Sequence, residues 1–218
     1  MKLFLSSAGF KPETKERFLK LLGKDPKETL AAFIPTAAGP KKDKSYVQWT
    51  IDQIEKLGMK TKTIDLVDEN KQSLNEKLSD CDVIIMNGGN TFLLLDWVKK
   101  SGFDKVIKKL IDRDKVYVGI SAGSYIACPT IEQSKWKHLD DPDKVGRTDL
   151  SALNLVNFLI VAHYTDEYKE AVENGVKTTN YPVVVLTDQQ AVVVDGDAIE
   201  LAGPEPVLKY NGFKFTNE

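Results

Sequence analysis

The residues best suited to chemistry lie in a Gly-x-Ser-x-Gly pattern, Gly119-Ile120-Ser121-Ala122-Gly123. An apolar stretch precedes this pattern, and small and apolar residues follow it, so a buried strand is predicted to turn into a helix. In a nucleophile elbow the serine occupies such a strained turn, and the flanking glycines remove side chains that would clash. We therefore predict that Ser121 is a nucleophile at the carboxyl end of a strand. The helix that starts at Ala122 would direct its first N–H groups and its dipole toward a developing oxyanion.

The same glycines also fit two other interpretations. They could form an ordinary tight turn, or they could bind a phosphate at the N-terminus of a helix. The segment has neither the lysine of a Walker motif nor the three-glycine spacing of a dinucleotide site, which disfavours the phosphate interpretation. The strand-turn-helix context favours catalysis.

A second glycine turn, Asn87-Gly88-Gly89-Asn90, follows the predicted strand at residues 83–87 and precedes a leucine-rich helix. Adjacent strand ends form the binding crevice of an open α/β sheet, so this turn is predicted to face Ser121. The N–H of Gly89, or that of Gly88, would then form half of an oxyanion hole, and the N–H of Ala122 the other half. We also expect Gly88 and Asn90 to contact the substrate, although Asn90 suits a helix cap equally well.

A catalytic serine needs a base, and the chain has only two histidines. His163 directly follows an apolar run at residues 158–162, which places it at a strand end on the same rim as Ser121. His138 lies in a polar loop and is the weaker candidate. Tyr164, beside His163, is expected to line the substrate pocket, although burial in the core would explain it as well.

The base in turn needs a carboxylate that orients it. The order Ser121 then His163 permits this group to lie between them, in the polar stretch at residues 132–149. The candidates there are Asp140, Asp141 and Glu132, and we predict Asp140.

The elements that must position these residues alternate between short apolar runs and amphipathic segments, which is typical of parallel strands joined by helices. Strands are predicted at residues 2–6, 31–35, 60–65, 83–87 and 116–121, and helices at 11–22, 45–57, 72–79, 91–100 and 104–112. The apolar run at 155–161 is predicted to be another strand of the sheet. Four short strands at 183–186, 191–194, 198–201 and 207–215, with hairpin signals at Asp195-Gly196-Asp197 and Asn211-Gly212, are predicted to complete an antiparallel edge. The prediction is an α/β fold with a mostly parallel sheet, in a single domain over residues 1–218.

Composition excludes several classes of protein. The 218 residues are 42% hydrophobic and 28% charged, a globular balance, and the formal net charge is -2 without a basic run. Nucleic acid and membrane surfaces are therefore disfavoured as partners. The only two cysteines, Cys81 and Cys128, have no metal-ligand spacing and are expected to be reduced, buried thiols. No run of about 20 apolar residues occurs, and the apolar N-terminus is too short for a signal peptide, so we expect a cytoplasmic protein.

Four motifs together resemble one family. Asn87-Gly88-Gly89-Asn90-Thr91, Gly119-Ile120-Ser121-Ala122-Gly123-Ser124, Pro129-Thr130-Ile131 and Ala162-His163-Tyr164 occur in an order and over a length similar to the peptidase E family. These serine peptidases are aspartyl dipeptidases, and cyanophycinases are more distant relatives. The resemblance implies a class I glutamine amidotransferase-like (flavodoxin-like) three-layer sandwich, with serine in the nucleophile position usually held by cysteine. It also implies Ser121 as nucleophile and His163 as base.

The chain departs from the family pattern at two places. The third member of the family's triad is an aspartate soon after Pro-Thr-Ile, but Trp136 stands at that spacing here, so Asp140 is the expected substitute and Asp141 the next. Family members that select N-terminal aspartate are expected to bind it with an arginine after the histidine. None of the three arginines follows His163, and a lysine such as Lys169 cannot reproduce the bidentate arginine fork. Strict Asp-Xaa specificity is therefore not expected.

The sequence thus predicts a serine peptidase acting on short peptides, without metal or organic cofactor, as a monomer or homodimer. One alternative is another acyl hydrolase on the same residues: a cyanophycinase-like isopeptidase, a carboxypeptidase or an esterase. The other is a non-catalytic module in which the two glycine turns bind a phosphate or carboxylate.

Overall fold

Strands and helices alternate along most of the chain in a computed structural model that describes residues 1–39, 44–137 and 145–217. The strands are β1 (Lys2–Ser6), β2 (Leu30–Ile34), β3 (Lys60–Thr63), β4 (Val83–Met86), β5 (Val116–Ile120), β6 (Leu159–Val161), β7 (Val183–Val185), β8 (Ala191–Asp195), β9 (Ala198–Ala202) and β10 (Leu208–Tyr210). The helices are α1 (Pro12–Leu22), α2 (Ser45–Lys56), α3 (Lys71–Leu78), α4 (Thr91–Lys100), α5 (Phe103–Ile111), α6 (Ala122–Tyr125) and α7 (Lys169–Val176). The first five predicted strands and the five predicted helices are confirmed to within two residues at each end.

The main sheet has seven strands in the order β3-β2-β4-β5-β1-β8-β9. The first five of these are parallel, β8 pairs antiparallel with β1, and β9 pairs antiparallel with β8. The β8–β9 pair turns at Gly196-Asp197, where the hairpin signal predicted it. The predicted parallel sheet with an antiparallel edge is therefore confirmed, and its parallel strands end at one common edge.

Helices cover both faces of this sheet and give a three-layer sandwich. On one face Phe4 of β1 packs with Phe10 and Phe18, with ring centroids 4.7–5.8 Å apart. Ile54 of α2 is buried in the same cluster, and Val47, Ile51 and Leu57, which lie at helical spacing from it, pack against the cluster. On the other face Leu3 and Leu5 belong to a second core together with the apolar sides of α3, α4 and α5. The alternation of β1 residues between two cores follows from the two-residue period of a strand.

A second, three-stranded sheet corrects two of the sequence predictions. Only residues 159–161 of the predicted strand at 155–161 are extended, and they form β6, which pairs with β7 in the order β10-β7-β6 and not with the main sheet. The predicted antiparallel edge likewise keeps only two of its four strands in the main sheet. Residues 183–185 form β7 and, of the predicted strand at 207–215, only residues 208–210 form β10, and both strands belong to the second sheet. Asn211-Gly212 forms a tight turn with positive φ at both residues and a hydrogen bond from the Phe213 N–H to the Tyr210 carbonyl, but no strand follows it, so there is no hairpin; instead Phe213 and Phe215 enter the core. Their rings pack edge-on, Phe213 also against Phe158, so burial of aromatic rings prevails over strand propensity there.

In the described ranges, none of the helices combines the length and apolar character needed to cross a bilayer. That residues 1–218 form a single domain remains a prediction.

The junction of β5 and α6 depends on backbone contacts that leave no room for side chains. A Cβ atom on Gly123 would lie 2.0 Å from the carbonyl oxygen of Met86, and one on Gly119 would lie 2.7 Å from the Gly123 carbonyl group. The buried Tyr117 hydroxyl also donates a 2.7 Å hydrogen bond to the Gly123 carbonyl. Both glycines of the Gly-x-Ser-x-Gly pattern are therefore required by close packing of α6 on the sheet.

We expect Gly123→Ala to lower the free energy of unfolding by about 3 kcal/mol or more, because the new methyl group overlaps a backbone oxygen that cannot move independently of β4. Gly212→Ala is the control: its φ is 77° but nothing lies within 4 Å of a Cβ there, so only backbone strain of about 1–2 kcal/mol is expected. Urea unfolding measures both. Equal losses in the two variants would contradict the packing argument, whereas a Gly123→Ala chain that does not fold would agree with it.

Candidate active site

Ser121 lies on the sharp turn between β5 and α6. Its φ of 53° and ψ of -112° are rare for a residue with a side chain. The Ser121 N–H donates to the Ser6 carbonyl at 3.0 Å, and the Ser121 carbonyl accepts from the N–H groups of Ser124 and Tyr125. Sheet pairing on one side and the first helical turn on the other therefore hold the strained residue.

The helix that follows Ser121 is a single turn. It comprises four residues, Ala122–Tyr125. A macrodipole grows from many aligned peptide units, so a single turn cannot supply much of it. Stabilisation of an anion near Ser121 would then come from individual N–H groups and not from the helix as a whole.

The second glycine turn lies directly against Ser121. A Cβ atom on Gly88 would be 3.0 Å from Ser121 Cβ and 3.5 Å from its Oγ. Gly89 has φ 146° and passes so close to Ala37 that a Cβ there would lie 2.1 Å from the Ala37 carbonyl oxygen. Within the described ranges, no hydrogen bond is found from the backbone N–H of Gly89 or of Ala122. Both predicted oxyanion-hole donors are thus available to a ligand.

His163 follows β6 and reaches Ser121 with its ring. The Nε2 atom lies 2.8 Å from Ser121 Oγ. The backbone of His163 is left-handed, with φ 55°. The predicted pairing of Ser121 with His163 is therefore present as a direct contact.

A carboxylate holds the other ring nitrogen: Asp188 Oδ1 lies 2.6 Å from His163 Nδ1. Asp188 stands in the turn after β7, and β7 runs parallel to β6 with Val185 opposite Val161. The ends of the two strands are therefore adjacent, and a hydrogen bond from the Tyr164 N–H to the Leu186 carbonyl extends the pairing beyond them. Parallel pairing in the small sheet is thus what brings the aspartate to the histidine.

These contacts fix the tautomer that the neutral imidazole must adopt. A carboxylate can only accept, so Nδ1 carries the proton and donates it to Asp188. The Nε2 lone pair is then free to accept the hydrogen bond of the Ser121 hydroxyl. This arrangement can remove a proton from Ser121 as the oxygen attacks an electrophile, and it stabilises the imidazolium that forms.

Asp188 was not among the carboxylates that the sequence suggested. Asp140 and Asp141, and also His138, lie outside the described residues. Glu132 begins a short 3-10 turn and makes no hydrogen bond to His163 within the described ranges. Asp188 shares a sequence feature with His163: each residue comes just after an apolar strand, which for Asp188 is β7. The predicted carboxylates all lie between Ser121 and His163 in the chain, whereas Asp188 follows both.

A cleft of about 370 Å³ opens above Ser121. It is lined by Ser7, Ala8, Tyr46, Trp49, Thr50, Asn87, Gly88, Gly89, Thr91, Ile120, Ser121, Tyr125, Ser134, Lys137 and His163. Gly88 is thus placed where substrate contact was predicted, whereas Asn90 and Tyr164 are not in the lining. Asn90 caps α4 through a 2.8 Å hydrogen bond from the Leu93 N–H, and Tyr164 packs against the core. A substrate contact of these two residues remains a prediction.

Two polar side chains of the cleft are buried. Asn87 Oδ1 accepts a 3.3 Å hydrogen bond from the Thr50 hydroxyl, while its Nδ2 is buried and has no partner in the described part of the chain. Lys137 is only 7% exposed, and its ammonium donates to the carbonyl oxygens of Ala162 and His163. Lys137, and not Lys169, is therefore the lysine that the structure places in the cleft wall.

The two cysteine thiols are poor candidates for the nucleophile. Cys81 and Cys128 are buried and free, as predicted. Burial raises the pKa of Cys81 to about 11 and that of Cys128 to about 12, so both are protonated near neutral pH. Among the residues that the structure describes, no three His, Cys, Asp or Glu side chains come together as a metal site would require.

Comparison with known proteins identifies the family. The sequence profile described as Peptidase family S51 matches residues 3–202. The chain belongs to peptidase family S51. It is therefore a serine-type peptidase, and the recognition of peptidase E in its motifs is confirmed.

Individual S51 relatives agree with this assignment over most of the chain. An uncharacterized peptidase of Pasteurella multocida is 31% identical over 205 residues, which are 93% of this chain and 97% of the relative. A peptidase E of Salmonella arizonae is 26% identical over 181 residues, 82% of this chain and 75% of the relative. The crystal structure of a candidate peptidase E from Listeria monocytogenes has a TM-score of 0.82 at 30% identity and covers 94% of this chain and 98% of that one. The S51 chain thus has the predicted flavodoxin-like fold.

The hydrogen bond from His163 lowers the pKa of Asp188 below its ordinary 3.8; partial burial opposes this, and the Ser7 hydroxyl adds to the lowering. A carboxylate whose pKa is lower in the folded than in the unfolded state stabilises the fold above its unfolded pKa, and this contribution disappears as pH falls through the folded value. We therefore expect the wild type to melt above Asp188→Asn at neutral pH, the difference to shrink as pH falls below about 4, the unfolded value, and the difference to vanish below the lowered folded pKa of Asp188. Thermal melts at several pH values measure it; a difference that persists unchanged in acid would contradict this linkage.

Proposed function

We propose that this S51 peptidase hydrolyses short peptides through a triad of Ser121, His163 and Asp188, with no metal or organic cofactor. The observation that carries the proposal is the unbroken chain of contacts from Ser121 Oγ to Nε2 at 2.8 Å and from Nδ1 to Asp188 at 2.6 Å. A nucleophile, a base and an orienting carboxylate within hydrogen-bond reach are the requirements of covalent acyl transfer. Because the family consists of peptidases, we infer that the bond that is broken is a peptide bond.

In the proposed reaction the Ser121 oxygen attacks the carbonyl carbon of the peptide bond while its proton passes to His163 Nε2. The carbonyl oxygen becomes an oxyanion, and the N–H groups of Gly89 and Ala122 stabilise it. His163 then returns the proton to the leaving amine, the C–N bond breaks, and an acyl-serine ester remains. Water attacks the ester with His163 again as base, which releases the acid and restores the hydroxyl. Asp188 keeps the tautomer and stabilises the imidazolium at both stages.

The dimensions of the cleft support a small substrate. Its volume of about 370 Å³ lies near the lower end of the range of roughly 300–1,000 Å³ found for ligand sites. The relatives named peptidase E point in the same direction. We infer that dipeptides are the substrates, without strict selection of N-terminal aspartate, since no arginine follows His163. A cytoplasmic location and a monomeric or homodimeric state remain predictions.

The alternatives differ in what they predict for substrates. A cyanophycinase-like isopeptidase, a carboxypeptidase and an esterase would need Ser121 equally, so only a panel of Asp-Xaa and other dipeptides, blocked peptides, β-linked peptides and esters separates them. Family membership favours hydrolysis over the non-catalytic binding module. That module would also give no reaction with a serine-directed probe.

Ser121→Ala is expected to abolish labelling by a fluorophosphonate and to lower the rate of dipeptide hydrolysis by on the order of 10⁶-fold, because no other group can form the acyl intermediate. Ser134→Ala is the matched control: Ser134 also lines the cleft, but its hydroxyl is bound to the Ile131 carbonyl at 2.7 Å. Intact mass and a dipeptide assay measure the two effects. Equal labelling of wild type and Ser121→Ala would contradict the assignment of the nucleophile.

Asp188→Asn is expected to lower kcat by on the order of 10⁴-fold, because the amide would favour the wrong imidazole tautomer. Asp140→Asn should leave kcat within about twofold of wild type, since the Nδ1 position is already taken by Asp188. Steady-state kinetics of the two variants at neutral pH compare the sequence-based and structure-based candidates directly. If Asp140→Asn lowered kcat strongly and Asp188→Asn did not, Asp140 and not Asp188 would be the residue that orients His163.

A further inference from the structure

Ser7 lies where three parts of the candidate site meet. It is the residue after β1, it is fully buried, and it also lines the cleft. Its N–H donates to the Gln190 carbonyl at 3.2 Å, at the start of β8. On its other side, β1 is paired with β5, which ends at Ile120, one residue before Ser121. The position of Ser7 is therefore set by the main sheet and not by its own side chain.

The Ser7 hydroxyl joins the two residues that act on Ser121. It accepts a 2.7 Å hydrogen bond from the His163 N–H and donates one of 3.0 Å to Asp188 Oδ1. Both directions are unambiguous, because a backbone N–H can only donate and a carboxylate can only accept. With the bond between His163 Nδ1 and Asp188 Oδ1, the three residues form a closed ring of hydrogen bonds.

We propose that Ser7 is a positioning residue of this peptidase, one that fixes the His163–Asp188 pair without touching the reacting atoms. The inference rests on the proposed triad. Two features make such a group necessary. His163 has a left-handed backbone, which a hydrogen bond to its N–H helps to hold. The Asp188 side chain is 51% exposed, so water competes for its oxygens.

Two hydrogen bonds to the same carboxylate oxygen orient it better than one. If His163 were the only hydrogen-bond partner of the Asp188 side chain, the aspartate could rotate into solvent and the imidazole could rotate with it. Nε2 would then move away from Ser121. The Ser7 hydroxyl prevents this, because it is anchored through β1 to the same sheet that carries the nucleophile. A misplacement of about 1 Å is enough to cost up to about 100-fold in rate.

The neighbouring serine provides a matched control. Ser6 is equally buried, but its hydroxyl donates to the Gly119 carbonyl at 3.2 Å and accepts from the Gly9 N–H at 3.0 Å. It makes no hydrogen bond to His163 or Asp188 in the part of the chain that the structure describes. Ser6→Ala and Ser7→Ala therefore each remove one buried hydroxyl with two hydrogen bonds, and only Ser7→Ala opens the ring.

The test is a double-mutant cycle with Ser7→Ala, Asp188→Asn and the combined variant, with Ser6→Ala alongside. Hydrolysis of a cleaved dipeptide gives kcat and KM from acidic to alkaline pH. The rate of fluorophosphonate labelling of Ser121 gives a second measure that needs no substrate. Circular dichroism and melting temperature verify that each variant is folded.

Ser7→Ala is expected to lower kcat and the labelling rate by roughly 10- to 100-fold with little change in KM. The combined variant should be no slower than Asp188→Asn, since residues that act as a unit are not additive. Ser6→Ala should show a comparable loss of melting temperature without the loss of kcat or of labelling rate.

Two results would overturn the inference: kinetics of Ser7→Ala that match those of Ser6→Ala, or a combined loss equal to the product of the two single losses. Failure of the proposed function looks different. If Asp188→Asn retained the wild-type rate, or if Ser121 were not labelled, the triad itself would be wrong whatever Ser7→Ala did.

Discussion

The register of β1 between β5 and β8 is the constraint on which the site depends. Ser6 is opposite Ile120 on one side and Ala191 on the other. The first pairing brings the Ser121 turn to the end of β1, and the second brings the chain that leaves the Asp188 turn to the same point. Because side chains alternate along a strand, a slip of one residue would exchange the two faces of β1 and turn Ser7 away from both. The cores on both faces, with Leu3 and Leu5 on one and Phe4 on the other, oppose such a slip.

The fold was predictable because its signals are local. Parallel strands buried on both faces read as apolar runs, and helices such as α2 show their stripe at helical spacing. The second sheet was not predictable, because β6, β7 and β10 have only three residues each and their sequences do not show which strands they pair with. Pairing partners are a tertiary property. A run such as residues 155–161 does not reveal which sheet its last residues join.

The candidate site divides in the same way. Ser121 and His163 were predictable because each directly follows a recognisable strand and the residue types are scarce. Asp188 also follows a strand, but the chain has 32 acidic residues. Asp188 can be singled out among them only when the strand that pairs with β7 is known. Parallel pairing of β6 with β7 supplies that neighbour. Ser7 carries no signal in the sequence, because its hydrogen bonds to His163 and Asp188 span 156 and 181 positions of the chain.

The two residues in direct contact at the reacting centre both have a backbone conformation that is unfavourable for a residue with a side chain. Ser121 and His163 have φ values of 53° and 55°, a conformation that costs a residue with a side chain about 1–2 kcal/mol. Local sequence favours neither, so the surroundings must hold them. At Ser121 the contacts of Gly119 and Gly123 with neighbouring backbone allow α6 to lie against the sheet. At His163 the backbone N–H donates a hydrogen bond to the Ser7 hydroxyl, and the carbonyl accepts one from the Lys137 ammonium. Both residues of the 2.8 Å contact are thus held in an unfavourable backbone conformation by their surroundings. The Ser121–His163 distance is therefore set by the packed sheets and not by the loops that carry the two side chains.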